Sequence, residues 1–198
     1  MLEYRSTLKT RAFLYLELKK AASLSLQGFS AKDIIGKSVS ENVFAMNTES
    51  RKREIAVTLT ERLAVLDSYL LDKLVYGNLS TSRHIALYTI LKTDRLFFEF
   101  MYEVFRDKLV FFDTVIMPKD FAAFFLRKVE QSDVVASWAD YTYYKLEQVY
   151  RKVLIESGLA EKKTRSVIIS RAGMEADLVQ HFEAIGDQVY VKTLVGVV

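Results

Sequence analysis

Apolar residues along this chain recur at spacings of three and four over most of its length, the period of one face of an α-helix. Residues 10–28, TRAFLYLELKKAASLSLQG, place Leu14, Leu18, Ala21, Ala22 and Ser25 on one stripe. They end in Gly28, suited to the left-handed turn that closes a helix. Ser30 then precedes AKDII with Asp33 at the third helical position, a capping-box pattern that satisfies the first free backbone N–H groups. Beyond a loop at 40–47, Asn47 or Thr48 caps a longer helix carrying Ile55, Leu59, Leu63, Leu66 and Leu70. Gly77–Asn78 and Ser80–Ser82 interrupt the pattern and mark a boundary, dividing the chain into residues 1–77 and 78–198.

From Arg83 to Phe112 the spacing stays helical but is apolar nearly all round, as in a helix buried in a bundle. The only proline, Pro118, sits where a new helix starts, and Ser132 caps another that runs to Gly158. EKKTR (161–165) reads as a polar linker, SVIIS (166–170) as a short strand and residues 172–186 as a helix. QVYVKTLV (188–195) fits a second strand or a helix, which so short an apolar run does not separate. The expected fold class is mainly α. A helix–turn–helix-like unit comes first, then a helical bundle, with a short strand pair near the C-terminus.

Composition narrows the function. Of 198 residues 51% are hydrophobic and 27% charged, with 13 Phe and 11 Tyr to anchor a core, as in a globular protein. LVFF and TVIM are broken by Asp113, and no run reaches the ~18–20 apolar residues that span a bilayer, so no membrane partner is expected. Glu3, Arg5, Lys9 and Arg11 are unlike a cleaved signal, and zero cysteines remove disulfide and thiol chemistry. The protein is therefore expected in the cytoplasm. Its net charge of +3 lies wholly in residues 1–70, with 11 Lys/Arg against 8 Asp/Glu, whereas residues 71–198 hold 17 of each. That asymmetry permits a nucleic-acid partner.

Catalytic signals are weak. His84 and His181 are far apart, and there is no Gly-rich phosphate loop, GxSxG or paired-His site. No catalytic residue, cofactor or metal is expected. Asp94, Glu99 and Glu103 offer the best acidic set for a divalent cation. With no histidine beside them they read more simply as partners of Arg95 and Arg106.

The DNA signal is better. LQGFSAKDII (26–35) supplies Gly, Phe, capping Ser and short helix in the order of a helix–turn–helix, and NTESRKREIAVTLTERL (47–63) would be the helix that enters the groove. Arg51, Lys52 and Arg53 suit guanine edges or phosphates, and Ser50 suits either. At 100° per residue Arg53 lies opposite the leucine stripe, Arg51 flanks it and Lys52 lines up with it. Basic side chains here oppose the helix dipole, which is a reason to expect an anion, although a solvated first turn fits too. Lys19, Lys20 and Lys32 could flank a backbone, and Lys162, Lys163, Arg165 and Arg171 form a second basic cluster. Trp138, Tyr141, Tyr143 and Tyr144 could stack bases but have the spacing of core aromatics.

Three stretches together resemble the BrxA family of bacteriophage exclusion (BREX) defence systems: LQGFSAKDII…ENVF…RKREI…RLAVLD, ILKTDRLFFEFMYEVFRDKL and EQSDVVASWADYTYYKLEQVYRKVLIESGL. KTDRLFFEFMYEV is the most specific part. The resemblance implies a small, mainly helical cytoplasmic protein with a NusB-like fold, encoded with a DNA methyltransferase, an ATPase and a phosphatase-like component. It implies double-stranded DNA as partner and no enzymatic activity. Two readings follow: a non-enzymatic duplex-DNA-binding component of a BREX system, or a helical adaptor assembling the other defence proteins with incidental nucleic-acid affinity.

Overall fold

The structure is a computed structural model that describes residues 2–171 and 173–196. Its contacts divide the chain into two units, Phe13–Thr93 and Met1–Ala12 with Asp94–Val198. Gly77 and Asn78, at the boundary read above, join two helices inside the first of these, and Ser80–Ser82 already belong to the second helix.

The Phe13–Thr93 unit is all helix: α1 (Tyr15–Leu26), α2 (Ala31–Glu41), α3 (Glu49–Leu63), α4 (Ser68–Tyr76) and α5 (Leu79–Thr93). Leu18, Ala21 and Ala22 of α1 are buried as the stripe requires, but the helix starts only at Tyr15, because Leu14 takes a left-handed backbone at φ 51°. The Ser30–Asp33 capping box forms, and the Thr48 hydroxyl accepts from the Arg51 N–H. The expected long helix through Leu70 divides in two. The turn after Leu63 leaves Leu66 outside any helix, and Asp67 caps α4 by accepting from the Leu70 N–H. α5 is the buried centre of this unit, with Ile85 through Leu91 enclosed on every side.

The second unit opens with residues 2–12, whose short 3₁₀ turn Thr7–Lys9 packs on α10 (Asp140–Glu156). The expected continuous helix to Phe112 is broken at Asp94, which caps a new helix by accepting from the Phe97 N–H at 2.9 Å. α6 (Arg95–Phe100) then passes through a π-helical turn, Met101–Phe105, into α7 (Arg106–Val110). Pro118 opens α8 (Pro118–Gln131) and Ser132 caps α9 (Asp133–Ala136), which breaks before α10. The core is aromatic: Phe97, Phe100, Phe121, Phe124 and Tyr150 are fully buried, with Phe100 stacked on Phe121 at 4.9 Å between ring centroids.

EKKTR is not a linker. Ala160–Lys163 is β2, which pairs antiparallel with β3 (Ser166–Ile169), and β1 (Val115–Ile116) pairs antiparallel with the other edge of β3. Val167 and Ile169 are buried while Lys162 and Lys163 stay exposed. The chain ends in α11 (Ala176–Ala184) and α12 (Gln188–Val195), so QVYVKTLV is helical. The fold is mainly α with a small strand group near the C-terminus, as the pattern implied. Ala172 lies outside the described residues, and the expected helix there begins four residues later.

Candidate nucleic-acid interface

The first turn of α3 is set by its cap and its neighbour. The Ser38 hydroxyl of α2 donates to the Lys52 backbone carbonyl at 2.8 Å, which ties α2 to the start of α3. Ser50 and Arg53 are exposed. Arg51 is half-buried and donates to Glu54 at 3.0 Å, and Lys52 is half-buried. The triplet thus divides as the wheel predicts, with Arg53 the side chain presented to solvent. In the same unit Lys20 and Lys32 are exposed and Lys19 is half-buried. Among the described residues Lys19, Lys20, Lys32, Lys52 and Arg53 have no carboxylate within salt-bridge range. Lys37, by contrast, pairs with Glu41 and sits 4.8 Å from the Phe29 ring. The unit holds 11 Lys/Arg against 8 Asp/Glu, so it carries the whole +3 of the chain.

The second basic cluster belongs to the other unit. Lys162 and Lys163 end β2, Arg165 stands in the turn and Arg171 follows β3, all four exposed. Arg151 of α10 supports the turn by donating to the Arg165 carbonyl, and is itself fixed by Glu147 at 2.6 Å. Arg171 lies 4.7 Å over the Phe112 ring. The aromatic set splits: Tyr141 and Tyr144 are exposed, whereas Tyr143 packs between Phe125 and Trp138.

The acidic set is an ion-pair network. Arg95 donates to Glu99 at 2.8 Å, as spacing foretold, but Arg106 pairs with Asp107 rather than with Glu99 or Glu103. Both glutamates converge on Lys128, which reaches Glu99 at 2.7 Å and also bonds Glu103, with only 3% of its side chain exposed. The Tyr4 phenol donates to Glu99 at 2.9 Å. Burial pushes the Glu99 carboxyl up, but hydrogen bonds from Lys128, Arg95 and Tyr4 outweigh it and hold the group below its ordinary value. Burial, then the bond to Glu99, raises the Tyr4 phenol to about 12. Among the described residues no group of His, Cys, Asp or Glu is arranged to hold a metal ion. Sequence reasoning misses Lys128, yet its signal is there: Phe121, Phe124, Phe125 and Lys128 fall at i, i+3, i+4 and i+7, so the lysine occupies a core position of α8.

The aromatic segment itself is not uniformly core. Phe97 and Phe100 are fully buried, Phe98 is half-buried against Tyr102 and Tyr190, and Tyr102 is exposed with Arg106 3.8 Å over its ring. The apolar pattern over Arg83–Phe112 predicts burial nearly all round, and Tyr102 departs from it. The π turn starting at Met101 carries Tyr102 outward, where the guanidinium covers it.

This mainly helical fold with a small antiparallel sheet is already seen in a solved structure. The crystal structure of an uncharacterized protein from Magnetospirillum magneticum superimposes with a TM-score of 0.82, covering 98% of this chain and 99% of that one at 16% identity. That likeness defines the class of fold alone. The model of the family BrxA matches residues 2–186. The "BREX protein BrxA" of Bacillus cereus (strain H3081.97) is 47% identical over 193 residues, 98% of this chain and 96% of that protein. The chain belongs to the BrxA family, and so is a component of the BREX type of defence system. Among the described residues no helix is long and apolar enough to cross a membrane.

Proposed function

We propose that this chain is a non-enzymatic, cytoplasmic, double-stranded-DNA-binding component of a BREX phage-defence system, acting beside other BREX proteins such as its methyltransferase and ATPase. The observation that carries the reading is the exposed, unpaired Arg53 beside Ser50 at the start of α3, in the unit that holds the entire net positive charge. A helix N-terminus offers backbone N–H groups to a phosphate, and the capped, Ser38-braced first turn fixes where they point. Arg53 reaches a phosphate or a guanine edge without desolvating an existing pair. Arg51 must exchange Glu54 for DNA and contributes less. Lys20 and Lys32 supply phosphate contacts that carry no sequence information.

The test is a fluorescence-anisotropy titration of the full chain on duplex DNA at several salt concentrations. Affinity should fall steeply with salt. Replacing Arg51, Lys52 and Arg53 with Ala should weaken binding and lower the log–log slope by about 0.9 for each phosphate that is no longer neutralised. Arg53→Ala alone should account for more of the change than Lys52→Ala. A triple variant with unaltered affinity and slope would return the triplet to a solvated first turn and favour the helical-adaptor reading.

A further inference from the structure

The solvent side of α3 carries more than its arginine. At about 100° per residue, Glu49, Ser50, Val57 and Thr60 all fall within about 60° of Arg53, while the buried Ile55, Leu59 and Arg62 lie on the far side. Glu49, Ser50 and Arg53 are exposed, and Val57 and Thr60 are half-buried. The Thr60 hydroxyl donates to the Val57 carbonyl at 2.9 Å, so the methyl group is what that residue has left to offer. Glu49 and Arg53 stand four residues apart with the acid N-terminal, the order and spacing that favour an ion pair along a helix. They do not form one. Among the described residues Glu49 has no lysine or arginine within salt-bridge range, and Arg53 has no carboxylate.

A free carboxylate beside that arginine is at odds with a face that grips phosphate alone, because it repels the backbone of every duplex alike. The edges of base pairs are different. In the major groove guanine presents O6 and N7, two acceptors that a guanidinium meets together, and cytosine presents an N4 amino group from which a carboxylate accepts. A carboxylate with no donor opposite it is a desolvated, unpaired charge, so it also counts against sequences that lack an amino group there. Glu49 and Arg53 are separated by about 6 Å along the helix axis, enough to meet different base pairs. The other acids of this helix are placed otherwise. Glu54 is held by Arg51 at 3.0 Å, and Glu61 stands about 12 Å beyond Arg53, toward the end that trails when the first turns enter a groove.

We infer that the solvent face of α3 reads base sequence, with Arg53 on a guanine and Glu49 as a specificity-determining residue that accepts from a cytosine N4 amino group. The ligand is then a duplex with a defined G- and C-containing site rather than duplex DNA at large. Val57 and Thr60 add methyl groups of the kind that meet the thymine methyl further along the groove. Phosphate contacts fall to Lys20 and Lys32, which carry no sequence information. The inference rests on the DNA reading above and narrows it.

The test starts with the full chain and a library of duplexes with a randomised central segment, taken through rounds of binding and then sequenced. A motif containing G·C pairs should be enriched. Anisotropy at one salt concentration should then favour the selected duplex over a shuffled one of equal length and composition by about thirtyfold or more, the product of two lost base contacts. Arg53→Ala should weaken the selected duplex far more than the shuffled one. Glu49→Gln should bind the shuffled duplex several-fold tighter and gain nothing on the selected one, so the ratio falls. A carboxylate that served only the helix dipole would shift both duplexes equally. The thermal unfolding midpoint shows that each variant folds. Failure of the wild type to bind any duplex would overturn the DNA reading and this inference with it. Salt-dependent binding with no enriched motif, or with equal affinity for the two duplexes, would overturn the inference and leave the DNA reading standing. A ratio that neither Glu49→Gln nor Arg53→Ala lowers would overturn it as well.

Discussion

Lys128 shows what a single misplaced-looking residue does for this fold. With 3% of its side chain exposed it bonds Glu99 and Glu103, while Gln131 accepts from it at 3.2 Å. Removing one partner from a buried pair costs about 3–5 kcal/mol. Lys128→Met should sit near the lower end, about 3 kcal/mol in urea denaturation, because both glutamates keep some access to water. The same network sets a pH window. Glu99 is held below its ordinary value, so its contribution is complete above the usual carboxylate range and is lost as pH falls through the lowered value. Tyr4 runs the other way: raised from 10 to about 12, it contributes stability that is complete below pH 10 and is lost as pH climbs toward 12. Urea unfolding as a function of pH should show a shallower acid limb for Glu99→Gln and a shallower alkaline limb for Tyr4→Phe. Unaltered limbs would leave the network without a role in stability.

At the scale of elements, caps were legible because their chemistry is local. Ser30, Thr48 and Ser132 act where the sequence placed them, each accepting from a backbone N–H three residues on. Breaks were harder to see. Asp67 and Asp94 interrupt apolar patterns that run on past them, since periodicity alone does not distinguish one long helix from two short ones in the same direction. The strand β2 was hidden because a charged edge strand looks like a linker until its partner is known. The site was legible in part: the division between Arg53 and Lys52 follows from the helical wheel, whereas Arg51's capture by Glu54 and Lys128's place in the network depend on side-chain packing. Glycines sharpen the same point. A Cβ at Gly77 would stand 2.3 Å from the Lys73 carbonyl oxygen, so Gly77→Ala should destabilise the α4–α5 turn. Gly36 lies inside α2 with open space around it, and Gly36→Ala should stabilise by roughly 0.5–1 kcal/mol. Thermal or urea unfolding of the two variants should therefore shift in opposite directions.

Across the whole molecule, charge and aromatic surface are divided between the two units: the net +3 belongs to Phe13–Thr93, and the exposed Phe111–Phe112 pair to the neutral remainder. Neutralising Lys162, Lys163 and Arg165 should consequently leave the salt slope of DNA binding nearly unchanged, measured in the same titration that tests Arg53. A large drop there would move the principal DNA surface to the β2–β3 hairpin. The π turn has a consequence on this scale as well. Phe97, Met101, Phe105 and Leu109 are all buried and repeat every four residues, a spacing that a pure α-helix would carry round by about 40° at each step. The wider turn at Met101–Phe105 absorbs that surplus, so Leu109 still arrives under α12, against Gly196. It works as a phase correction: one turn of different pitch decides the angular position at which α7 ends, and so the direction in which the chain emerges at Phe111.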